Sequence, residues 1–169
     1  MTSLSLAARN VLLAEPGIRS LIAKSPTLGT WVFDERPLGG KIEGTGLCLI
    51  VVNEERPYSS PNEHNTMKFP QLIVDIWADC TRNPDSTPKV YDAKDKIEAI
   101  EKVVDRLFHT VDRSMNHSVI IWGTPEEIAL KAGVVVAGSQ RLNGSPEYSP
   151  IKDAEGAFMG RLIYGVNKV

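Results

Sequence analysis

The stretch that decides the fold begins Phe69-Pro70-Gln71-Leu72-Ile73-Val74-Asp75-Ile76-Trp77-Ala78-Asp79-Cys80-Thr81, crosses a polar turn, and ends in a helical pattern from Ala93 to Val111. In its first part Leu72, Val74, Ile76, Ala78 and Cys80 share one face, and Ile73, Asp75, Trp77 and Asp79 share the other. That period marks a β-strand with one core face and one mixed face. The mixed face reads as a solvated or subunit-facing edge. Arg82 to Lys89 carries Asn83-Pro84 and Pro88, which is turn chemistry. Ala93, Ile97, Ile100, Val104, Leu107 and Val111 then recur as one apolar stripe, with Lys94, Glu98, Glu101, Lys102, Asp105 and Arg106 away from it. The spacing predicts an amphipathic helix packed on a sheet. Asp92 stands where it caps that helix, with Asp95 in the first turn, where a carboxylate meets free amides.

Upstream, Leu4, Ala7, Ala8, Val11 and Leu12 have helical spacing that stops at Pro16-Gly17, and Ile18, Leu21 and Ile22 predict a further turn. Gly29 to Phe33 reads as a strand that stops at Arg36-Pro37, and glycines between Gly39 and Gly46 punctuate the chain before an apolar strand from Leu47 to Val52. Asn53 to Lys68 is a Pro-, Ser-, Asn- and charge-rich connection too long for a tight hairpin. Downstream, Ser118 to Trp122, Val134 to Leu142 and Ala157 to Val166 are β-rich. Thr124-Pro125-Glu126-Glu127 is a capping-box pattern for a short helix ended by Gly133, and Asn143-Gly144-Ser145-Pro146 starts a loop. Helix, strands, long helix, strands is the α+β order. The expected fold is a mainly antiparallel β-sheet with two helices packed on one face, formed by a single domain over residues 1–169.

The 169 residues, 42% of them hydrophobic, suffice for one core. Nineteen basic and 21 acidic residues give a net charge of -2 with no block of one sign, so no phosphate-tracking or anionic-membrane surface is expected. Cys48 and Cys80 lie in strand patterns, where a thiol behaves as a small buried hydrophobe. The first residues lack the basic and long apolar regions of a secretory signal, and no apolar run approaches the ~20 residues of a membrane span. A soluble protein made in a reducing cytoplasm is expected.

Tests for catalytic chemistry find little. Asp75 and Asp79 lie four strand residues apart, roughly 13 Å, beyond the ~5 to 9.5 Å of a glycosidase pair. His64, His109 and His117 have no metal-site spacing, and His109 falls in the last turn of the long helix, where positive charge suits the dipole. The lone Gly-x-Gly at Gly44 leads into a strand rather than a phosphate-binding helix. Trp31, Trp77 and Trp122 lie in strand patterns and read as core or subunit packing. A Cys-His or Ser-His site built from residues distant in sequence stays open.

The Leu6-Ala7-Ala8-Arg9-Asn10-Val11-Leu12 helix, Gly29 to Phe33, the Phe69 to Trp77 strand and the Tyr91 to Asp112 helix together resemble the tail-terminator, or tail-completion, family of long-tailed phages. The resemblance covers most of the chain by element order and rests on no invariant chemical motif. It implies a small α+β subunit without enzymatic activity or cofactor. Six such subunits form a ring that caps the finished tail tube and offers a surface to the head-tail connector, in the virion and, during assembly, in the host cytoplasm. Tail tube protein and connector protein are the implied partners, with neither membrane nor sequence-specific nucleic acid, although DNA passes through such a ring. A closed ring needs heterologous contacts. Asp75, Trp77 and Asp79 on the mixed strand face, with Glu98 and Arg106 on the helix, are the expected subunit interface. The long connection, with Arg56, Tyr58, Glu63 and His64, is similar to the family's tube-facing loop. A neck or head-closure connector is the neighbouring reading, and a small enzyme is the alternative from another class.

Overall fold

The computed structural model of the chain describes residues 4–22, 32–33, 48–55, 70–109, 120–121, 135–151 and 155–168. Its elements are α1 (Leu4–Ala14), α2 (Pro16–Leu21), β1 (Val32–Phe33), β2 (Cys48–Glu55), β3 (Gln71–Ala78), α3 (Val90–Phe108), β4 (Ile120–Ile121), β5 (Val135–Arg141), β6 (Glu147–Pro150) and β7 (Phe158–Lys168). The expected α+β architecture is observed. The strands form one sheet in the order β1-β2-β3-β7-β5-β4, with β6 also paired to β7. All pairings are antiparallel except β1 with β2, which run parallel.

The helices lie on one face of this sheet. Register aligns Val32, Ile50 and Ile76 in one row and Val52, Val74 and Leu162 in the next, with Leu72 opposite Tyr164. All are buried, in one cluster with Leu4, Ala8 and Leu12 of α1, Ile18 of α2, and Ala93, Ile97, Ile100, Val104 and Phe108 of α3. Burying a side chain of this size contributes about 1.5 to 3 kcal/mol. Gly160 of β7 lies in the same face, and a Cβ there would stand 2.5 Å from Cγ2 of Ile97, so glycine is what lets α3 approach. Pro16 occupies the start of α2, and the Glu15 side chain accepts the Gly17 amide there, so the predicted break becomes a second helix.

Four local expectations are corrected. Phe108, not Leu107, closes the buried stripe of α3, because a 3.6-residue turn drifts by about 20° per heptad from the 3.5 spacing of the sequence pattern. Asp92 does not cap α3, which begins at Val90 behind Lys89. The Asp92 carboxylate reaches out of the first turn to accept the Thr81 amide at 2.8 Å and pairs with Lys96. β2 continues through Asn53 to Glu55, past the apolar run, because β3 pairs with it that far, Glu55 opposite Gln71. Glu147–Pro150, expected as loop, is strand β6. It and β5 lie end to end along the same side of β7.

The break between β5 and β6 is closed by a side chain. Asn143 Oδ1 accepts the Ile163 amide at 2.9 Å and its Nδ2 donates to the Arg161 carbonyl at 2.8 Å. The amide stands in for the backbone of a missing strand residue, so the β7 ladder stays satisfied. The expected turns at Gly39–Gly46, the short helix of Thr124–Gly133, and Trp31 and Trp122 lie outside the described residues.

Candidate functional site

The central pair β3 and β7 places Asp75 directly opposite Arg161 on the face away from the helices. The guanidinium grips the carboxylate through both its oxygens, Nε to Oδ1 at 2.8 Å and Nη2 to Oδ2 at 2.9 Å. Trp77 on that face packs against Ile22, Phe33, Ile151 and Met159. Asp75 is 4% exposed, Trp77 8% and Asp79 8%. The expectation that this face is a solvated or subunit-facing edge is therefore corrected. β3 is an interior strand, and these three residues are covered within the protomer, so they are withdrawn from the subunit interface. Asp79 also gives its carbonyl to Lys96 Nζ at 3.1 Å.

A second polar assembly joins the C-terminal half of α3 to the sheet. Arg141, the last residue of β5, donates through Nη1 to Asp105 at 2.8 Å and through Nη1 and Nη2 to Glu101 at 3.3 Å. Its Nε donates to Asn143 Oδ1 at 2.7 Å. Tyr164 donates its hydroxyl to Asp105, and the Arg141 guanidinium lies 5.8 Å from the Tyr164 ring centre. Glu101 and Asp105 are four apart, so one side of α3 presents both acids to one arginine. Burial pushes the Glu101 carboxyl above its ordinary value, against the pull of Arg141. Burial, followed by the hydrogen bond and charge of Asp105, pushes the Tyr164 phenol well above its ordinary range and keeps it protonated. A phenol so held is neither a base nor a nucleophile at neutral pH. The chemistry of this assembly is that of a clamp.

The same junction satisfies the end of α3. Ser139 donates to the Phe108 carbonyl, and the Arg141 amide donates to His109 Nδ1 at 3.0 Å. His109 thus ties the end of α3 to the last residue of β5. Nearby, Lys94 Nζ lies 5.4 Å from the Tyr148 ring centre and 5.3 Å from that of Phe158, a cation held between two aromatic faces. Burial raises the Tyr148 phenol, and the Glu98 and Glu101 carboxylates add to that.

Of the expected interface residues on α3, Glu98 is exposed. Arg106 is 65% exposed and pairs with Glu15 at 2.7 Å, bracing α3 against the α1–α2 junction. The expected loop residues Arg56, Tyr58, Glu63 and His64, and also His117, lie outside the described residues. Cys80 is buried and free as expected, its thiol pushed up by burial and by Asp79. The Cys48 side chain lies outside the described ones. Arg141, Asn143 and Tyr164 were not anticipated. The one signal for them in the sequence was the acid pair Glu101 and Asp105 on the flank of the helix stripe.

Among the described residues no cluster of His, Cys, Asp and Glu is arranged to hold a metal ion, and no helix is long and apolar enough to cross a membrane. Compared with known proteins, the chain matches no family model and no curated sequence.

Proposed function

We propose that this protein is a tail-completion subunit of a long-tailed phage, which forms a sixfold ring on the finished tail tube, stops its polymerisation and presents a surface to the head-tail connector. The observation that carries the reading is architectural. The stretches that resemble the family are α1, β1, β3 and α3, and these pack into a single unit with the helices on one side of a mainly antiparallel sheet. The buried polar groups of that unit are engaged in holding α3 to the sheet and β3 to β7, which suits a scaffold that offers surfaces rather than a reactive centre. In this reading the ring contacts use exposed residues such as Glu98 and Arg106, and the β2–β3 connection with Arg56, Tyr58, Glu63 and His64 faces the tube.

Two measurements test it. Purified protein mixed with purified tail tubes should co-sediment with them and appear in negative stain as a sixfold ring at one tube end. Binding to portal-bearing heads but not to tubes would transfer the protein to the neck, and binding to neither would reject the virion reading. Because Glu55 pairs with Gln71, residues 57–68 are replaceable by a short β-turn that preserves the β2–β3 register. The shortened chain should still form rings and should lose tube binding. Retained tube binding would remove the connection from the docking surface.

A further inference from the structure

The exposed residues of α3 are Tyr91, Asp95, Glu98, Lys102 and Arg106, and with the exposed capping residue His109 they form a ridge opposite the buried stripe. Its acids lie in the N-terminal half and its bases in the C-terminal half, the order that complements the helix dipole. The same order has a second property, which is that the ridge is self-complementary. Turned end for end about Ile100, Lys102 falls on the position of Glu98 and His109 on that of Tyr91, while Arg106 comes to the level of Lys94, one residue or about 1.5 Å along the helix from Asp95. We propose that this ridge docks a second copy of the chain, with the two α3 helices antiparallel across a two-fold axis at Ile100.

Such a contact is isologous, so each pair occurs twice, Glu98 with Lys102 of the other copy and Asp95 with its Arg106. From Asp95 to Arg106 the helix rises about 16 Å, so these pairs form one continuous charged seam. Arg106 is planted for the contact. Glu15 holds Nη2 of its guanidinium at 2.7 Å while the side chain stays 65% exposed, so the group is anchored and still accessible. Tyr91 is 82% exposed, a large ring that the fold itself leaves uncovered, and the two-fold sets it against His109 at each end of the seam. Antiparallel alignment also opposes the two helix dipoles favourably. Pairs at an exposed seam are weak singly and screened by salt, so the dimer is salt-sensitive. The pairing does not rest on the ring reading. It concerns the free subunit, and it covers Glu98 and Arg106, so subunits paired this way are withheld from any ring contact that uses them.

The test is the mass of the full chain by light scattering over a concentration series at ~0.02 M and ~0.5 M salt. A dimer at low salt whose Kd rises by about tenfold or more at high salt is expected. E98K and K102E should each weaken self-association by about tenfold or more, because each makes the seam repel itself. An equimolar mixture of E98K with K102E should recover dimers, as should the E98K/K102E double variant, since every crossed pair is again opposite in sign. Circular dichroism of each variant checks that the exposed substitutions leave the fold intact. A monomer throughout the series at low salt overturns the proposal, as does a dimer indifferent to salt and to charge reversal. A sixfold particle that ignores both substitutions also overturns the two-fold pairing, while leaving the ring reading to the tail-tube experiment.

Discussion

Among the described residues the sheet holds two arginine clamps, and they differ in what surrounds the cation. Arg161 crosses from one interior strand to the next, in register, onto the Asp75 carboxylate. Its own side chain is 38% exposed while that of Asp75 is only 6% exposed. Arg141 sits at the end of β5 with its side chain 8% exposed, and it faces two acids on a helix that is separated from it by the β4 region. In the first clamp the anion is buried and the cation reaches water. In the second the cation is the most buried member, and Glu101 and Asp105 lie nearer the surface. The difference teaches which partner can be removed safely, since the cost of breaking an ion pair is set by how well water can solvate the charge left behind.

The largest effect is expected from removing Arg141. R141M removes the hydrogen bonds to Glu101, Asp105 and Asn143 together and frees α3 from the edge of the sheet, and although water reaches the two acids it leaves, this combined loss should cost about 2 to 4 kcal/mol of stability. Urea unfolding with an unchanged m-value is the measurement. In the other clamp the two single substitutions should be unequal. R161M strands Asp75 in the sheet and should cost about 2 to 3 kcal/mol, whereas D75N leaves a guanidinium that water reaches and should cost about 1 kcal/mol. Equal losses from R161M and D75N would show that Asp75 is solvated by opening of that face, and the comparison between the clamps would collapse.

The two clamps were unequally legible in the sequence. β3 could be read because its alternation is uninterrupted, and the Ala157–Val166 run, which the structure pairs with it, was legible as β-rich. The polarity of Asp75 misled. A charged residue on a strand face is usually a sign of solvent, and only the register that sets Arg161 opposite Asp75 turns it into a buried pair. The Arg141 clamp was not legible as a unit, because no spacing rule connects a strand end to a helix flank across an intervening segment. β6 escaped for a related reason. Glu147-Tyr148-Ser149-Pro150 has almost no apolar content, and it is a strand because β7 offers it a ladder, not because of its own propensity. The drift from Leu107 to Phe108 was predictable in principle, from the helical period alone.

Asn143 links the two clamps, since it receives Arg141 Nε and also completes the ladder beside Arg161. N143A leaves the Ile163 amide and the Arg161 carbonyl without their partner and should cost about 1 to 2 kcal/mol. N143D keeps the acceptor for Ile163 and Arg141 while losing the donor to Arg161, so it should cost less than N143A. Hydrogen exchange at the Ile163 amide separates the mechanisms. It should speed up in N143A and stay protected in N143D. Fast exchange in both would mean that the ladder depends on the donor side of the amide.

The smallest effect is also the one of opposite sign. Burial outweighs the attraction of Arg141 at Glu101, so its folded-state pKa lies above its ordinary value of 4.5. Between that ordinary value and the raised one, the native state binds more protons than the unfolded state. By linkage, stability then falls as pH rises through this window, and above it the carboxylate carries a constant penalty. E101Q resembles the protonated acid, so it should match the parent protein near pH 4 and become more stable than it by pH 7, by no more than about 0.5 kcal/mol for a pair this near the surface. The sign is checked by thermal or urea unfolding of both proteins across that range. If E101Q instead loses stability relative to the parent as pH rises, the Coulomb attraction of Arg141 exceeds the cost of burying Glu101. The second acid would then be a stabilising partner of the clamp, and removing Arg141 should cost still more than removing Arg161.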